Sequence, residues 1–355
     1  MENFPTLVMR PSRPSDVDAI VDMFHRAGEA LKGVSTLRSD REMIEARVRR
    51  SVESLAAEIS SPGEENYWFV LTEIESGDVI GTSGIFASVG LSDAFYSYRV
   101  GVNVHASREL GVYRRFATLY LSNDYTGTTE VGSLYVDFER RGRHAGKLAS
   151  LSRFLFMAAH PQRFNEKVIA EMRGYQDPDG RVPFWEGLGR HFFGVPFSQA
   201  DREMAKGNKS FIAELMPRHP IYVPLLPPDA QEVLGRVHAD TLPARRMLER
   251  EGFRYQGYVD IFDGGPTLEA RTFDLRAMRE SRTVPARRVD VMADGPDVIV
   301  ANDRTTGFRA IAVATRPDHE DRLPLTARAC AALEIDDGDM VRWLPFNAPK
   351  VPIDV

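Results

Sequence analysis

The chain has 355 residues, 43% of them hydrophobic and 27% charged, which is globular composition and enough length for one large domain or two unequal ones; a disordered, collagen-like or coiled-coil chain is excluded. With 45 Lys and Arg against 51 Asp and Glu the formal net charge is −6, so no global field draws nucleic acid or an anionic membrane, and any anion site must be local. The single Cys330 excludes an intrachain disulfide and a multi-cysteine zinc site and suits a reducing compartment, with the cytoplasm as the default.

The first residues, Met1-Glu2-Asn3-Phe4-Pro5, carry an early acid and a proline ahead of no long apolar run, so no signal peptide is expected. The most apolar stretch, Phe154 to Ala159, is far shorter than the ~20 residues of a membrane-spanning helix. Thr6 to Arg10 reads as a first strand, and Pro14-Ser15-Asp16 opens a helix to about Ala30. A second helical stretch, Asp40 to Ala57, sets Met43, Ala46, Val48 and Leu55 among many charges. Tyr67–Leu71 and Val79–Thr82 flank the turn triplet Ser76-Gly77-Asp78, a hairpin signal. Residues 92–126 read as an elaboration carrying two more strands, around Tyr98–Val104 and Ala117–Leu121.

Gly132-Ser133-Leu134-Tyr135-Val136-Asp137 is a short β-rich run, and Arg140-Arg141-Gly142-Arg143-His144-Ala145-Gly146 follows directly. A helix comes next, with Leu148, Leu151, Leu155 and Ala158 on one face. A strand, a basic glycine-containing loop and a helix N-terminus make a phosphate cradle, because the first-turn N–H groups lack intrahelical partners and the helix dipole adds partial positive charge. The same residues also read as a plain solvated helix start.

Lys167–Met172 looks like a strand, Phe184–Phe193 an amphipathic helix, and Phe211–Leu215 fits either. Leu242 to Phe253 reads as a helix closed by Gly252, followed by strand Tyr255–Phe262, the turn Asp263-Gly264-Gly265-Pro266 and strand Thr267–Thr272. After Arg282 the texture changes to short alternating runs between Pro and Gly punctuation. The expected organisation is therefore residues 1–283 as one unit and 284–355 as a small β-rich domain.

The segment from Leu134 to Ala159, together with Ala244-x-x-Met-Leu-Glu-x-Glu-Gly-Phe253, resembles the two signature pieces of the acyl-CoA N-acyltransferase (GNAT) superfamily. Longer strings narrow the resemblance: Tyr98-Arg99-Val100-Gly101, Leu121-Ser122-Asn123-Asp124, Phe211 to Pro217, His219-Pro220-Ile221-Tyr222, Val237-His238 and Asp260 to Glu269. These are similar to the arginine N-succinyltransferase family, with the related arginine/ornithine succinyltransferase subunits, over nearly the whole chain.

The resemblance implies an α+β fold, a GNAT-like mixed sheet flanked by helices with a small C-terminal β-rich domain. It implies transfer of succinyl from succinyl-CoA to the α-amine of L-arginine in arginine catabolism, with a catalytic proton donor at His238 and a CoA contact at Leu134. The CoA pyrophosphate would sit on backbone N–H groups between Arg141 and Gly146, with Arg140, Arg141 and Arg143 as countercharges. The expected cofactor-binding set is Leu134, Val136, Arg141, Gly142, His144, Ala145 and Gly146. The implied partners are succinyl-CoA as cosubstrate and a cationic amino acid, in a homo-oligomer or a hetero-oligomer with a related subunit; no permanently bound cofactor, metal, nucleic acid or membrane is expected. Ornithine or another cationic amino acid as acceptor, and a non-catalytic subunit of a heteromeric succinyltransferase, are the alternatives.

The chain also departs from the family pattern. His144 stands where the first glycine of the usual loop would be, Tyr125 replaces a histidine, and Leu31 to Leu37 replaces a glycine-rich segment. A side chain at 144 crowds a phosphate unless it points outward.

Amide formation from a thioester needs a neutral amine, stabilisation of the tetrahedral oxyanion and a proton for the departing thiolate. A histidine with a reference pKa of ~6.5 serves the first or third need, although His238 taken alone also suits a structural hydrogen bonder. Glu171, Asp260 and Asp263 could pair with a guanidinium, while Asp263-Gly264-Gly265 is also turn chemistry. His105, His191 and His219 share no metal-ligand spacing, and Cys330 lies in an apolar helical run without a nearby histidine. Direct transfer without an acyl-enzyme follows.

Overall fold

The computed structural model describes residues 5–28, 37, 40–140, 142, 144–205, 210–291 and 294–347. Of the positions singled out above, Arg141, Arg143 and the replaced segment 31–36 lie outside the described residues.

The chain runs through β1 (Leu7–Pro11), α1 (Val17–Ala27), α2 (Arg41–Ala56), β2 (Asn66–Glu73), β3 (Val79–Phe86), a long hairpin of β4 (Ser97–Ser107) and β5 (Val112–Ser122), and β6 (Thr129–Val136). Next come α3 (Ala145–Ala159), β7 (Lys167–Glu171), α4 (Arg190–Phe193), α5 (Phe197–Ala205), α6 (Ser210–Leu215), β8 (Ile221–Tyr222) and α7 (Pro228–Val233). Then follow α8 (Leu242–Glu251), β9 (Arg254–Val259), β10 (Pro266–Arg271) and α9 (Arg276–Glu280). The remaining elements are β11 (Arg282–Val289), β12 (Asp297–Asn302), β13 (Ala310–Ala314), β14 (Leu323–Thr326), α10 (Ala327–Leu333) and β15 (Met340–Pro345). None of the described helices is long and apolar enough to cross a membrane.

Most expected elements form where the pattern placed them. The helix expected over Phe184–Phe193 forms, with a π-helical stretch, Trp185–Gly189, running directly into the short α4. The glycines explain that stretch, since a Cβ on Gly189 would stand 2.3 Å from the Trp185 ring and one on Gly187 2.7 Å from Ala230.

Among the described residues, fifteen strands form one mixed sheet in the order β14-β11-β15-β12-β13-β1-β2-β3-β6-β7-β10-β9-β4-β5-β8. Alternate residues of β2 build a core on each face. Tyr67, Phe69 and Leu71 pack with Leu148, Leu151 and Phe156 of α3, while Trp68 and Val70 pack with Ile20 and Phe24 of α1 and Ile44 and Val48 of α2. A strand covered on both faces reads as a continuous apolar run, which is why Tyr67–Leu71 shows no alternation.

The sheet does not break at residue 284. β13 pairs with β1, Val8 with Ile311 and Met9 with Ala310, so the strands of the expected small C-terminal domain continue the main sheet and cover what would otherwise be an open edge of β1. What changes there is the core. Val284, Val300, Leu325, Leu333 and Val341 form a cluster of their own with Val8, whereas Ile299, Phe308 and Leu344 join the main core.

One joint positions the functional site. β6 and β7 are parallel, and their pairing covers only Thr129 with Val168 and Glu130 with Ile169. Beyond it the strands part, β6 following β3 to Val136 and β7 following β10 to Glu171. The β3–β6 register shifts opposite Ser133, whose φ of 53° marks a bulge that bends β6 away. The result is a fork in the sheet, with α3 starting just beyond one prong.

Candidate functional site

Leu134 and Val136 lie on the parted length of β6, the first half-buried and the second buried. Past the strand, Gly142 takes a φ of 135°, and His144 takes φ 67° and ψ 9° immediately before α3. The Ala145 N–H closes on Gly142 O at 2.8 Å, and Leu148 N–H is the first to reach back four residues, to His144 O at 2.8 Å. The N–H groups of Gly146 and Lys147 therefore precede the first helical bond and point out of the helix end. Among the described residues nothing lies within 4 Å of where a Gly146 Cβ would stand, which leaves that side of the approach open.

His144 leaves that approach clear because its ring turns toward the C-terminal strands. Nε2 is 3.2 Å from Asp297 Oδ2, and the ring stacks on Phe346 with 5.0 Å between centroids. The cost falls on the backbone instead, since a left-handed non-glycine residue is disfavoured by roughly 1–2 kcal/mol. Arg140, expected as a countercharge, is paired with Glu73 at 2.9 Å.

The other prong carries the histidine. His238 N–H donates to Arg173 O at 2.8 Å, and Gly174 bridges Val237 antiparallel, so residues 237–238 are laid along the continuation of β7. Leu134 and Val237 pack against the same core, which ties the two prongs together. The imidazole Nδ1 accepts from Asp240 N–H at 3.2 Å and lies 3.7 Å from Asp240 Oδ2. An accepting Nδ1 leaves the proton of the neutral ring on Nε2. Burial, and then the charge of Arg173, hold the pKa below the ordinary histidine value against the opposing pull of Asp240. The lowered pKa favours the uncharged ring, in which Nε2–H is the donor.

Asp263 holds the backbone that carries His238. Its Oδ2 accepts from Gly174 N–H at 2.6 Å and its Oδ1 from Gly265 N–H at 2.8 Å. The contact needs glycine: a Cβ on Gly174 would stand 2.5 Å from Asp263 O, and one on Gly265 2.1 Å from Met172 O. Gly264 O also accepts from Gly235 N–H at 2.8 Å. Burial, aided by the neighbouring Asp260 carboxylate, raises the Asp263 pKa well above the usual carboxylate value despite the two amide donors.

Glu171 and Asp260 are brought together with two residues that sequence reasoning missed. A cavity of about 390 Å³ opens at the fork on the side of α1 and α2, and Arg47, Trp68, Phe86, Glu130, Glu171 and Asp260 line it. Glu130 is paired with Ile169, and Glu171 follows two residues later on the same face, so the two carboxylates flank the fork. Asp260 Oδ1 accepts from Phe262 N–H at 2.7 Å and Asp263 N–H at 2.8 Å, while burial raises its pKa. The Arg47 guanidinium lies 4.4 Å from the Trp68 ring centroid and 5.1 Å from that of Phe86, and Nη2 donates to Ser133 Oγ at 2.6 Å. A signal for Arg47 existed: it sits among Ile44, Val48 and Ser51 on the buried stripe of α2, an unusual place for an arginine. Tyr125, at the replaced histidine position, stands behind the cavity wall, buried against Val89 and Phe95 with its hydroxyl donating to Glu269 at 2.9 Å.

Residues 7–277 match the model of a family described as arginine N-succinyltransferase beta subunit, and residues 282–345 that of its C-terminal domain. The arginine N-succinyltransferase of Yersinia pseudotuberculosis is 46% identical over 349 residues, covering 96% of this chain and 99% of that protein. A relative of the same name from Escherichia coli is 47% identical over 345 residues, covering 97% and 99%. Among solved structures, arginine/ornithine succinyltransferase subunit AI from Pseudomonas aeruginosa is similar with a TM-score of 0.88 and 37% identity, over 97% of this chain and 100% of that one.

Proposed function

The chain belongs to the arginine N-succinyltransferase beta subunit family, and on that premise we propose that it transfers succinyl from succinyl-CoA to the α-amine of L-arginine, giving N2-succinylarginine and free CoA. The observation that carries the reading is the fork, which sets an open helix start beside one prong and a neutral imidazole on the other.

On the β6 side, the parted strand offers backbone groups to the amide-bearing arm of an acyl-CoA, in the way an extended peptide adds to a sheet edge. Leu134 and Val136 lie along that length. The Gly146 and Lys147 N–H groups and the helix dipole receive the pyrophosphate, with Gly142, His144 and Ala145 shaping the approach. No tightly held cofactor enters the reaction.

The chemistry moves one proton. The neutral α-amine attacks the thioester carbonyl carbon, the C–N bond forms, the C–S bond breaks, and the proton lost by nitrogen ends on the CoA sulfur. His238 carries that proton between the two ends: the neutral ring takes up the proton shed by nitrogen, becoming imidazolium, and gives its Nε2–H to the departing thiolate, so that the ring ends neutral. Glu171 and Asp260 receive the guanidinium in the cavity, a pairing that carboxylates make through charge-assisted hydrogen bonds. Asp263 is withdrawn from that role because both of its oxygens already accept backbone amides.

Ornithine is the second acceptor reading. The solved Pseudomonas relative carries both amino acids in its name, and a carboxylate also pairs with an ammonium, though without the bidentate fit of a guanidinium. The reaction belongs in the cytoplasm, and the enzyme works as a homo-oligomer or beside a related subunit.

Thiol release from succinyl-CoA and acetyl-CoA against arginine, ornithine and lysine, with mass analysis of the product, tests the proposal. Release with succinyl-CoA and arginine, and a succinylated α-amine in the product, is expected. No release with any acceptor would overturn it in favour of a non-catalytic subunit.

A further inference from the structure

We infer that Arg47 is the receptor for the acceptor's α-carboxylate, so that the cavity at the fork selects α-amino acids over amines that lack the carboxylate. The inference rests on the succinyl-transfer reading and adds a specificity residue to it.

Three observations lead to it. First, α2 delivers a guanidinium from its buried stripe into a cavity of about 390 Å³, where an aliphatic side chain would serve packing better. Second, the group is held in one orientation: Trp68 and Phe86 lie against it at 4.4 and 5.1 Å, and Ser133 Oγ takes a hydrogen bond from Nη2 at 2.6 Å. A planar fork fixed in this way is pre-organised for a carboxylate, since little freedom is left to lose on binding. Third, the charges that line the cavity at the fork mirror a cationic amino acid. Arg47 is positive, and Glu130, Glu171 and Asp260 are carboxylates. Glu130 is close enough to Arg47 to favour its charged form. A ligand whose carboxylate meets Arg47 would have its α-amino group, one carbon away, on the Glu130 side of the cavity. The cationic end of the side chain is left for Glu171 and Asp260.

Desolvation supports the assignment, for burial pushes the Arg47 pKa down to about 9, and an incoming carboxylate would relieve it. The anchor also has a mechanical meaning. Ser133 is the positive-φ residue of the β6 bulge, next to Leu134 on the strand proposed to carry the acyl-CoA arm. Acceptor recognition and the acyl-bearing strand thus share one hydrogen bond.

The test is kcat/KM at fixed succinyl-CoA for L-arginine, L-argininamide and agmatine, the last two lacking the carboxylate. The wild type should prefer arginine by about 10- to 150-fold, the equivalent of one charge-assisted hydrogen bond. In Arg47→Met that preference should collapse toward one, and Arg47→Lys should restore part of it. Equal use of all three acceptors by the wild type, or a wild-type preference retained in Arg47→Met, would overturn the inference. The wild-type comparison stands even where the methionine variant fails to fold. Arginine turnover without the preference removes this inference alone, whereas no turnover of any acceptor removes the transfer reading together with it.

Discussion

The two prongs of the fork are built by different means. On the β6 side, strand, loop and helix start follow one another within residues 129–159, so one contiguous stretch makes the whole feature. On the β7 side, His238 hangs from Arg173 and its support comes from Asp263 through Gly174, which join segments 65 and 89 residues apart. The first is a local device whose hydrogen bonds are fixed by helix geometry. The second depends on tertiary contacts with little slack, and perturbing it should damage turnover without touching the helix end.

The largest effect should come from His238→Ala, with kcat falling about 10²- to 10⁴-fold if the imidazole transfers the proton. The pH profile gives the sign. Because burial and Arg173 lower the pKa of this ring below ~6.5, the neutral form is favoured in the folded enzyme. The wild-type kcat/KM governed by it should be flat above that range and fall as pH drops through the lowered value. A limb that falls with rising pH near 7 would mean that the protonated ring is the active form.

Next in size is the acceptor pocket. Glu171→Gln or Asp260→Asn should raise the KM for arginine roughly 10- to 100-fold, the loss of a charge-assisted hydrogen bond, while kcat at saturation changes less. Steady-state kinetics with arginine varied would expose a purely structural role as an unchanged KM.

Asp263→Ala should cost about 2–4 kcal/mol in denaturant unfolding, because two buried amide donors, Gly174 and Gly265, lose their acceptor. Its kcat should fall as well, through the displaced 237–238 segment. An unchanged melt with full turnover would detach Asp263 from the histidine's support.

The smallest effect is expected on the β6 side. His144→Gly relieves the left-handed backbone and removes the contacts to Asp297 and Phe346, two terms of about 1 kcal/mol each with opposite sign. Stability and CoA affinity should therefore stay close to wild type. A tenfold change in CoA affinity would show that the His144 ring takes part in binding.

The same contrast explains what the sequence made legible. The strand, loop and helix near Leu134 to Ala159 could be read directly because periodicity and turn chemistry are local signals. Among the acids, Glu171 and Asp260 could be named but not placed together, and Asp263 was open to two readings until its two amide donors decided for the turn. Arg47 and Glu130 escaped notice because cavities form from residues far apart in the chain, and a single arginine on an amphipathic helix looks like a solvated one. The continuity of the sheet past residue 284 was equally hidden. A change of composition marks a change of core, while the pairing of β1 with β13 leaves no trace in either strand's own pattern.

The central claim is that the acyl-CoA is held on the β6–α3 side and the proton is moved on the β7 side. Calorimetric titration of CoA into His238→Ala, beside the wild type, tests this separation most directly. The account predicts affinities within about threefold of each other in a variant whose turnover has fallen by orders of magnitude. A CoA affinity weakened tenfold or more in a folded variant would place His238 in the CoA site itself and contradict it.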